Sequence, residues 1–533
     1  MTPPLARNDR EAIGHARGRT SGGVKGKVYL AGAGPGDPGL LTVKAMNVLG
    51  RADLVVYDFL ANREHLRYAK PGAKTVCVGK RFRFRGFNQD KINKLILSEA
   101  RRGKVVVRLK GGDPYLFGRG GEEALYLYRH GIPFEVIPGV TSATACAAYA
   151  GIPLTHRDHN AAVTFLTGHR AGDSDLDTVD WRHIVGVGGT LVIYMGFYNL
   201  KKISRRLIAE GMPASTKVSV IEWGTLPRQR SCDGTLKDIS RRVKEKHLAA
   251  PCIIIVGEVV SFRRQLNWFE RLPLFGKRIV VTRASDKAGR LFELLSEMGA
   301  DVIEFPTIEV HPPESAGALD KALAGISGYD WVVFTSTYGC SAFFRRLKAL
   351  KKDARALFGV RFACVGPDTA AALLHQGIAA DLAPQKFESK ALVDEFARRF
   401  KTLKGVRILI PRPDIAPPGL EEGLMKLGAA VTRVTAYRTR PPKSVDAALK
   451  EKLRTGSVDF VTFTSASTAV NFAKILGVAK SKAISRRAAF VSIGPVTSAA
   501  LKKQGLRIAC EARVSTIDGL VAALKNYAER KRK

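Results

Sequence analysis

Cysteine is scarce and scattered. Seven residues (Cys77, Cys146, Cys232, Cys252, Cys340, Cys364 and Cys510) occur in 533, with no CxxC pair and no Cys/His zinc spacing among them. That pattern argues against a disulfide framework or a structural zinc site, and no metal is expected. Long hydrophobic runs are also missing. Nothing approaches the ~18 consecutive apolar residues of a membrane span, and stretches such as Ile253 to Val256 are strand-sized. Met1 to Ser21 lacks the apolar core of a signal peptide and is broken by Pro3, Pro4 and several arginines. Residues 1–24 therefore read as a disordered basic tail, and the chain as cytoplasmic, without a membrane partner. Acidic residues are few: 48 against 86 basic ones, a net charge of +38. Such a balance points to a polyanionic partner, either nucleic acid or an acidic small molecule, or else to a lineage with basic proteins. The basic residues are spread along the chain and not gathered in one arm, which counts against nucleic acid.

Apolar material is ample, at 45% hydrophobic residues. At roughly 150 residues per domain the length allows three or four domains. Two halves are visible, at about 25–265 and 276–530. The joint between them, 266–275, is too apolar for a flexible linker and is expected to pack on at least one half. In the first half, Lys27 to Leu30, Leu54 to Tyr57 and Val105 to Leu109 are β-rich runs followed by loops or helix-like stretches. That alternation predicts α/β structure with largely parallel strands. Val163 to Leu166, Thr190 to Tyr194, Val218 to Ile221 and Ile253 to Val256 predict a second sheet, hence two lobes. The second half holds a weak repeat. Val332 to Thr337 resembles Phe460 to Ser465, and Phe362 to Pro367 resembles Phe490 to Pro495, both at an offset of about 128 residues. Two similar lobes, each with a Thr-Ser loop and a Gly-Pro loop, would enclose a cleft suited to a large ligand.

The loop Gly32 to Gly39 matches G-x-G-x-x-G at Gly34, Gly36 and Gly39, and Asp58 lies about 24 residues beyond Gly34. Nicotinamide binding is nevertheless disfavoured, because Pro35 and Pro38 remove backbone N–H groups that a pyrophosphate would need. Lys110-Gly111-Gly112-Asp113-Pro114 lets a ligand approach the backbone, with Asp113 as an acceptor and Pro114 able to start a helix. What discriminates is the ordered set: Val28 to Pro38, Tyr57-Asp58, Val78 to Arg81, Arg108 to Pro114, Phe117 to Glu123, Pro138 to Ala143, Gly151 to Asp158, Tyr194 to Gly196 and Trp223 to Thr225. Over nearly all of 25–260 this resembles the uroporphyrinogen-III C-methyltransferases, tetrapyrrole methylases that use S-adenosylmethionine.

The resemblance implies that Pro35, Gly111, Gly112, Asp113, Leu116, Thr141, Ser142, Met195 and Gly224 line the S-adenosylmethionine site. It implies Asp58 as general base, and Lys80 as general acid or as a contact to a substrate carboxylate. Two departures stand out. Arg81 to Phe87 is more basic and aromatic than the family's usual stretch, and Ser142 replaces an alanine. His156 and His159 fit a structural or substrate-rim role better than that of a base.

In the second half, Val280 to Arg283, the Thr-Ser and Gly-Pro loops, Ala436 to Thr439 and Thr516 to Leu520 resemble uroporphyrinogen-III synthase, over about 276–524. The fold class that follows is α/β throughout: a two-lobed tetrapyrrole-methylase fold, then a two-lobed α/β synthase fold with a connecting β-ladder. Its lobes would be 276–308 with 440–530, and 309–439, with Thr307 to Val310 and Val434 to Tyr437 as the ladder. The implied substrate contacts are Arg283, Ser336, Thr337, Ser465, Gly494, Thr497 and Ser498, and Tyr437 would assist loss of a hydroxyl. Pro411 to Pro418 departs from the family's glycine-containing loop.

Together these readings imply a bifunctional enzyme. It would cyclise hydroxymethylbilane with ring D inversion and then methylate uroporphyrinogen III twice to precorrin-2, on the sirohaem or cobalamin route. The substrates are polycarboxylates, which gives the basic charge one use, and a homodimer through the first half is expected. The rivals are a methylase acting on another precorrin or on RNA, and a basic nucleic-acid-binding protein.

Overall fold

The computed structural model describes residues 26–79, 88–168, 179–283, 289–385, 388–442, 445 and 447–531. The chain divides into two compact units after Gly276.

The first unit begins with β1 (Val28–Gly32), β2 (Leu54–Tyr57), β3 (Lys74–Cys77), β4 (Val106–Lys110) and β5 (Phe134–Ile137). All pair in parallel, in the order β3-β2-β4-β1-β5. The fully buried strands β2 and β4 need apolar cover on both sides, and successive residues provide it. Val28, Leu30 and Val56 pack with Ile92, Ile96 and Leu127 from the helices Gln89–Arg101 and Gly120–Arg129. Ala31, Val55 and Leu109 pack with Ala45, Val48 and Leu49 on the other face. After β1 the chain runs toward β2, and after β4 it runs the opposite way toward β5. The loops leaving these two neighbouring strands therefore diverge, and a crevice opens at their C-terminal ends. Open α/β sheets bind ligands at such a switch point.

The second sheet of this unit comprises β6 (Val163–Thr167), β7 (Thr190–Tyr194), β8 (Lys217–Glu222), β9 (Arg230–Thr235) and β10 (Cys252–Val256). Its order is β6-β7-β10-β8-β9, with only β6 and β7 parallel. The edge strand β9 escapes the hydrophobic pattern because Arg230, Ser231, Asp233 and Gly234 dilute it, leaving Cys232 alone fully buried. The helix Ser142–Tyr149 follows directly on the first sheet, yet its Ala143, Cys146 and Ala147 pack on Val192, Ile221 and Ile253 of the second. It fastens the two lobes together.

The joint 266–275, expected to pack on at least one half, is a belt on the first unit. Phe269 and Leu274 are buried, and Tyr149 meets the rings of Trp268 and Phe269 at 5.1 and 4.8 Å. Glu270 accepts from Arg263 Nη2 (2.7 Å), Gln229 Nε2 (2.9 Å) and Ser231 Oγ (2.7 Å).

The second unit also holds two sheets. Its strands are β11 (Arg278–Val281), β12 (Asp301–Glu304), β13 (Glu309–His311), β14 (Trp331–Phe334), β15 (Arg361–Cys364), β16 (Arg407–Pro413), β17 (Ala430–Arg440), β18 (Phe460–Phe463), β19 (Ala489–Ser492) and β20 (Cys510–Glu511). One sheet is wholly parallel, in the order β12-β11-β18-β19-β20, and the other runs β13-β17-β16-β14-β15. The first mixes strands from both ends of the unit, and the second uses the stretch between. The expected ladder is shifted. Val434 to Tyr437 belong to the parallel pairing of β17 with β16, and the antiparallel pairing joins Glu309–His311 to Arg438–Arg440. Thr307 is left outside it because its hydroxyl donates to Thr282 O (2.8 Å) in the core.

Glu270 anchors the belt through a largely buried ion pair, so Glu270→Ala is expected to cost about 3 kcal/mol, read as a drop in melting temperature of the full chain. Burial alone would raise the Glu270 pKa, but the bonds from Gln229, Ser231 and Arg263 outweigh it and hold the group below its ordinary 4.5. Its contribution is thus complete above that value and is lost as pH falls through the lower folded-state value. The melting deficit of Glu270→Ala should shrink over that acidic window.

Candidate active sites

In the first unit three loops meet at the crevice. Gly34 and Gly112 exchange backbone hydrogen bonds at 3.3 and 2.8 Å, joining the ends of β1 and β4. A Cβ on Gly139 would stand 2.3 Å from Gly112 O and 2.7 Å from Gly32 Cα, and one on Gly32 would stand 2.5 Å from Gly139 Cα. No side chain fits at either place. Asp113 braces the arrangement: its carboxylate accepts from Tyr115 N (2.8 Å), Leu116 N (3.1 Å) and Gly139 N (3.0 Å). Gly112 has φ +68°, and its missing Cβ faces Thr141 Cα (3.9 Å) and Ser142 N (3.7 Å) across space that a Cβ would occupy without clash.

The second lobe closes this crevice. Tyr194, at the end of β7, has its hydroxyl 2.5 Å from Thr141 Oγ1 and accepts from Ala143 N (3.2 Å). Met195 follows at φ +53° and is half exposed. A Cβ on Gly224 would lie 2.3 Å from Cys146 Sγ, so its glycine serves packing against the helix that joins the lobes. Pro35 sits between Gly34 and a Gly36-Asp37 turn tied to that same region. Asp37 accepts from Tyr149 OH (2.6 Å), and Asp37 N donates to Thr225 Oγ1 (3.0 Å). Leu116 packs partly buried on the cluster containing Tyr194 and Cys146. The predicted cofactor residues sit on the loops that leave β1, β4, β5 and β7 and on the turn after β8. Tyr194 and Thr225, which lie in the sequence motifs without being named as site residues, and Tyr149, which lies outside them, tie these loops together.

Asp58 follows β2 on the same edge of the sheet. Its carboxylate accepts from Arg108 Nη2 at 2.5 Å and is 30% exposed, whereas Arg108 is 2% exposed. Arg108 Nε (3.1 Å) and Lys110 Nζ (3.2 Å) both reach Glu123 Oε1. Burial alone would lower the Arg108 pKa, but the carboxylates of Asp58 and Glu123 raise it; burial and Arg108 together push Lys110 down. Gly79 presses so closely on Phe59 N that a Cβ would lie 2.1 Å from it, bringing the chain after β3 against the Asp58 turn. Lys80 and Arg81 to Phe87 lie outside the described residues. His156 stacks on Phe262 at 4.5 Å, consistent with a packing role.

In the second unit the predicted residues fall at C-terminal strand ends. Arg283, Ser465 and Gly494 follow the neighbouring strands β11, β18 and β19. Ser336 follows β14, and its Oγ lies 3.0 Å from the hydroxyl of Tyr437 on β17, two strands away. Ser336 caps the helix Thr337–Ala349 through Gly339 N (3.1 Å), and Ser465 caps the helix Ala466–Leu476 through Thr468 N (3.3 Å). Thr497 and Ser498 are 3% and 4% exposed, and Ser498 Oγ lies 2.5 Å from Ser492 Oγ. Their hydroxyls therefore face the core, and the loop presents backbone N–H groups at the start of the helix Pro495–Lys503. Arg412, missed in the sequence, is buried at the end of β16. It donates to Glu421 Oε2 (2.5 Å) and Pro417 O (3.0 Å). Burial raises the Tyr437 pKa, offset in part by Ser336 and Arg412. Among the described residues no cluster has the makings of a metal site, and no helix is long and apolar enough to cross a membrane.

Residues 27–240 match the family model of tetrapyrrole (corrin/porphyrin) methylases, and residues 289–522 match that of uroporphyrinogen-III synthase HemD. A porphyrin biosynthesis protein HemD from Ruminiclostridium josui is 37% identical over 94% of this chain and 97% of its own length. The chain belongs to this family of methylase–synthase fusions. A uroporphyrinogen-III C-methyltransferase from Bacillus subtilis is 47% identical over 46% of the chain and 95% of that protein. A siroheme synthase from Pseudomonas aeruginosa is 48% identical over 48% of the chain, which spans just over half (55%) of that relative. The protein is an enzyme of tetrapyrrole biosynthesis whose methylase unit uses S-adenosylmethionine.

Gly139 tests the crevice. Gly139→Ala pushes apart two loops that its backbone holds, so S-adenosylhomocysteine binding by the full chain should weaken at least about 10-fold, roughly 1.4 kcal/mol. Calorimetric titration checks this, with Gly121→Ala, where no atom lies within 4 Å of the added Cβ, as the unaffected control.

Proposed function

We propose that the second unit closes hydroxymethylbilane to uroporphyrinogen III with inversion of ring D, and that the first unit methylates that product twice to precorrin-2. The observation that carries the methylase reading is Asp58, a partly exposed carboxylate held by a buried arginine at the edge where the glycine loops meet. S-adenosylmethionine, when bound, supplies a methyl group made electrophilic by its sulfonium. The chain's own part is placement and proton transfer. Pro35, Gly111, Gly112, Leu116, Thr141, Ser142 and Met195 line the space for the donor, and Asp113 and Gly224 hold those loops in register. Fixing a carbon nucleophile in line with the S–CH₃ bond supplies much of the rate. Asp58 accepts the pyrrole N–H proton as the ring attacks. Lys80 serves as acid or as a carboxylate contact.

In the synthase unit, Tyr437 donates a proton to the departing hydroxyl. Its raised pKa keeps the phenol protonated through neutral pH, and Ser336 orients it. Arg283, Ser336, Thr337, Ser465 and Gly494 hold substrate carboxylates, with the N–H groups at the helix starts adding to them and Thr497 and Ser498 acting through backbone. The bilane is intrinsically reactive, so the main demand is to hold the chain in the pose that closes with inversion. The polycarboxylate substrates, not nucleic acid, are the anionic partners. Exposed Leu125 and Tyr128 on one helix face support pairing of two copies through the methylase unit. We place the enzyme in the cytoplasm. The fusion keeps an unstable intermediate at high effective concentration.

Two experiments test this. Full-length protein given freshly made hydroxymethylbilane anaerobically should yield a doubly methylated type III product only when S-adenosylmethionine is present. Cyclisation to the symmetric type I isomer would refute the synthase reading, and a single added methyl, or failure on supplied uroporphyrinogen III, would refute the methylase one. Tyr437→Phe should lower synthase kcat about 10²-fold with little change in KM, measured by stopped-time isomer analysis.

A further inference from the structure

One peptide of the loop after β1 is gripped at both ends. The carbonyl of Gly36 and the N–H of Asp37 belong to the same planar unit. Asn62 Nδ2, from the turn after β2, donates to Gly36 O at 2.7 Å. On the other side, Asp37 N donates at 3.0 Å to Thr225 Oγ1, from the turn after β8 in the second lobe. Both side chains are themselves held. Asn62 Oδ1 accepts from Glu64 N (3.0 Å) and so caps the short helix Arg63–Tyr68, whose His65 is fully buried. Thr225 is buried and has φ +70°, a rare conformation for a β-branched residue, and its N–H is fixed by Gln229 Oε1 at 2.9 Å. Gln229 donates in turn to Glu270 of the belt. Backbone of this kind persists only where its surroundings impose it, and it gathers at binding sites. A Cβ on Gly36 would lie 2.9 Å from both Thr225 Oγ1 and Leu226 Cγ, so the residue that leaves the peptide free to turn also lets the second lobe close on it. Pro35, the donor contact, is the next residue back along the chain.

Resting on the reading that this loop lines the donor space, we propose that Asn62 and Thr225 are positioning residues. They clamp the Gly36–Asp37 peptide from opposite lobes and so hold Pro35 in the conformation that receives S-adenosylmethionine. Neither has to touch the donor. Half a turn of the peptide would point its carbonyl away from Asn62 and its N–H away from Thr225, breaking both bonds together. Either bond alone still opposes that rotation, so the two back each other up. Because the clamp draws one partner from each lobe, it also makes donor binding depend on both lobes being in place.

The test is calorimetric titration of the full chain with S-adenosylhomocysteine. Asn62→Ser keeps an oxygen for the helix cap but is too short to reach Gly36 O. Thr225→Val keeps the shape of the side chain and removes the acceptor. Each alone should weaken binding only about 2-fold, because the remaining bond keeps most molecules in the competent form. The double variant should weaken it at least about 10-fold, beyond the roughly 4-fold of two independent bonds. Thr225→Ser restores the acceptor, so Asn62→Ser combined with Thr225→Ser should return to the single-variant value. In turnover on supplied uroporphyrinogen III, the Asn62→Ser, Thr225→Val variant should raise KM for S-adenosylmethionine by the same factor and leave kcat within about 2-fold. A general loss of structure would produce neither that split nor that rescue. A double variant no weaker than the product of the singles, or a serine that fails to rescue, overturns the clamp. Should Thr225→Val fail to fold beside Asn62→Ser, Thr225→Ala takes its place and is read the same way. Gly36→Ala separates the two ideas. Pushed off Leu226 and Thr225, the loop should lose at least about 10-fold in affinity. No change there sinks the reading that the loop lines the donor space, whereas a weakened Gly36→Ala with an unaffected double variant sinks only the clamp.

Discussion

The methylase unit depends on a contact between backbones. Gly32, Gly112 and Gly139 come from three strand ends that are adjacent in the sheet but distant in the chain, and a Cβ on Gly32 or Gly139 would collide with the backbone of the other and of Gly112. Such an approach survives only if each loop is fixed from elsewhere. Asp113 therefore spends its carboxylate on three backbone N–H groups, and Asp37 is tied to Tyr149 and Thr225. The second lobe reaches the same point through Tyr194 and through the packing of Gly224 on Cys146. The crevice is thus a rigid backbone surface, which suits a reaction whose rate comes from alignment. A loop free to relax would surrender that alignment first.

Much of this was legible in the sequence because backbone constraints leave glycine and proline where they act. The loops at Gly32 to Gly39 and Gly111-Gly112, the continuous β-branched strands and the repeated Thr-Ser and Gly-Pro loops are all local signals. What stayed hidden was long-range and carried by ordinary residues. Arg108 and Asp58 meet because β2 and β4 are neighbours, and no spacing announces it. Tyr194 looks like one more strand residue until its hydroxyl is found on Thr141. The ladder register was misplaced because β17 is a single run of 11 residues that changes partner partway along, which alternation along one strand cannot reveal. The direction of the Ser498 hydroxyl was hidden for a related reason: helix phase turns it inward to Ser492.

The two units treat charge differently. In the synthase unit the central pair is neutral, a serine and a tyrosine 3.0 Å apart, and helix starts at strand ends offer backbone N–H groups. That arrangement offers hydrogen-bond donors without committing strong acids or bases, in keeping with the proposed task of posing a reactive chain. Arg412 and Glu421 stand behind the pair, paired to each other and buried. In the methylase unit, ions are buried behind the C-terminal edge of the sheet, and of the cluster's two carboxylates Asp58 is the one that reaches solvent.

Burying Arg108, Lys110 and Glu123 is hard to justify as stabilisation. Taking ions out of water costs several kcal/mol each, and well-packed apolar replacements are often neutral or better. The surrounding core is competent to supply such packing, since Val56, Val106 and Leu127 already fill the same face of the sheet. Glu123 even leaves one oxygen without a partner among the described residues. An apolar cluster, however, could not hold the Asp58 carboxylate in one orientation while leaving its free side open. A guanidinium held from behind does both, because its fork fixes direction and the second carboxylate prevents it from turning wholly toward the first. The cost of the buried ions is therefore best understood as the cost of orienting the partly exposed Asp58 carboxylate at the C-terminal end of β2.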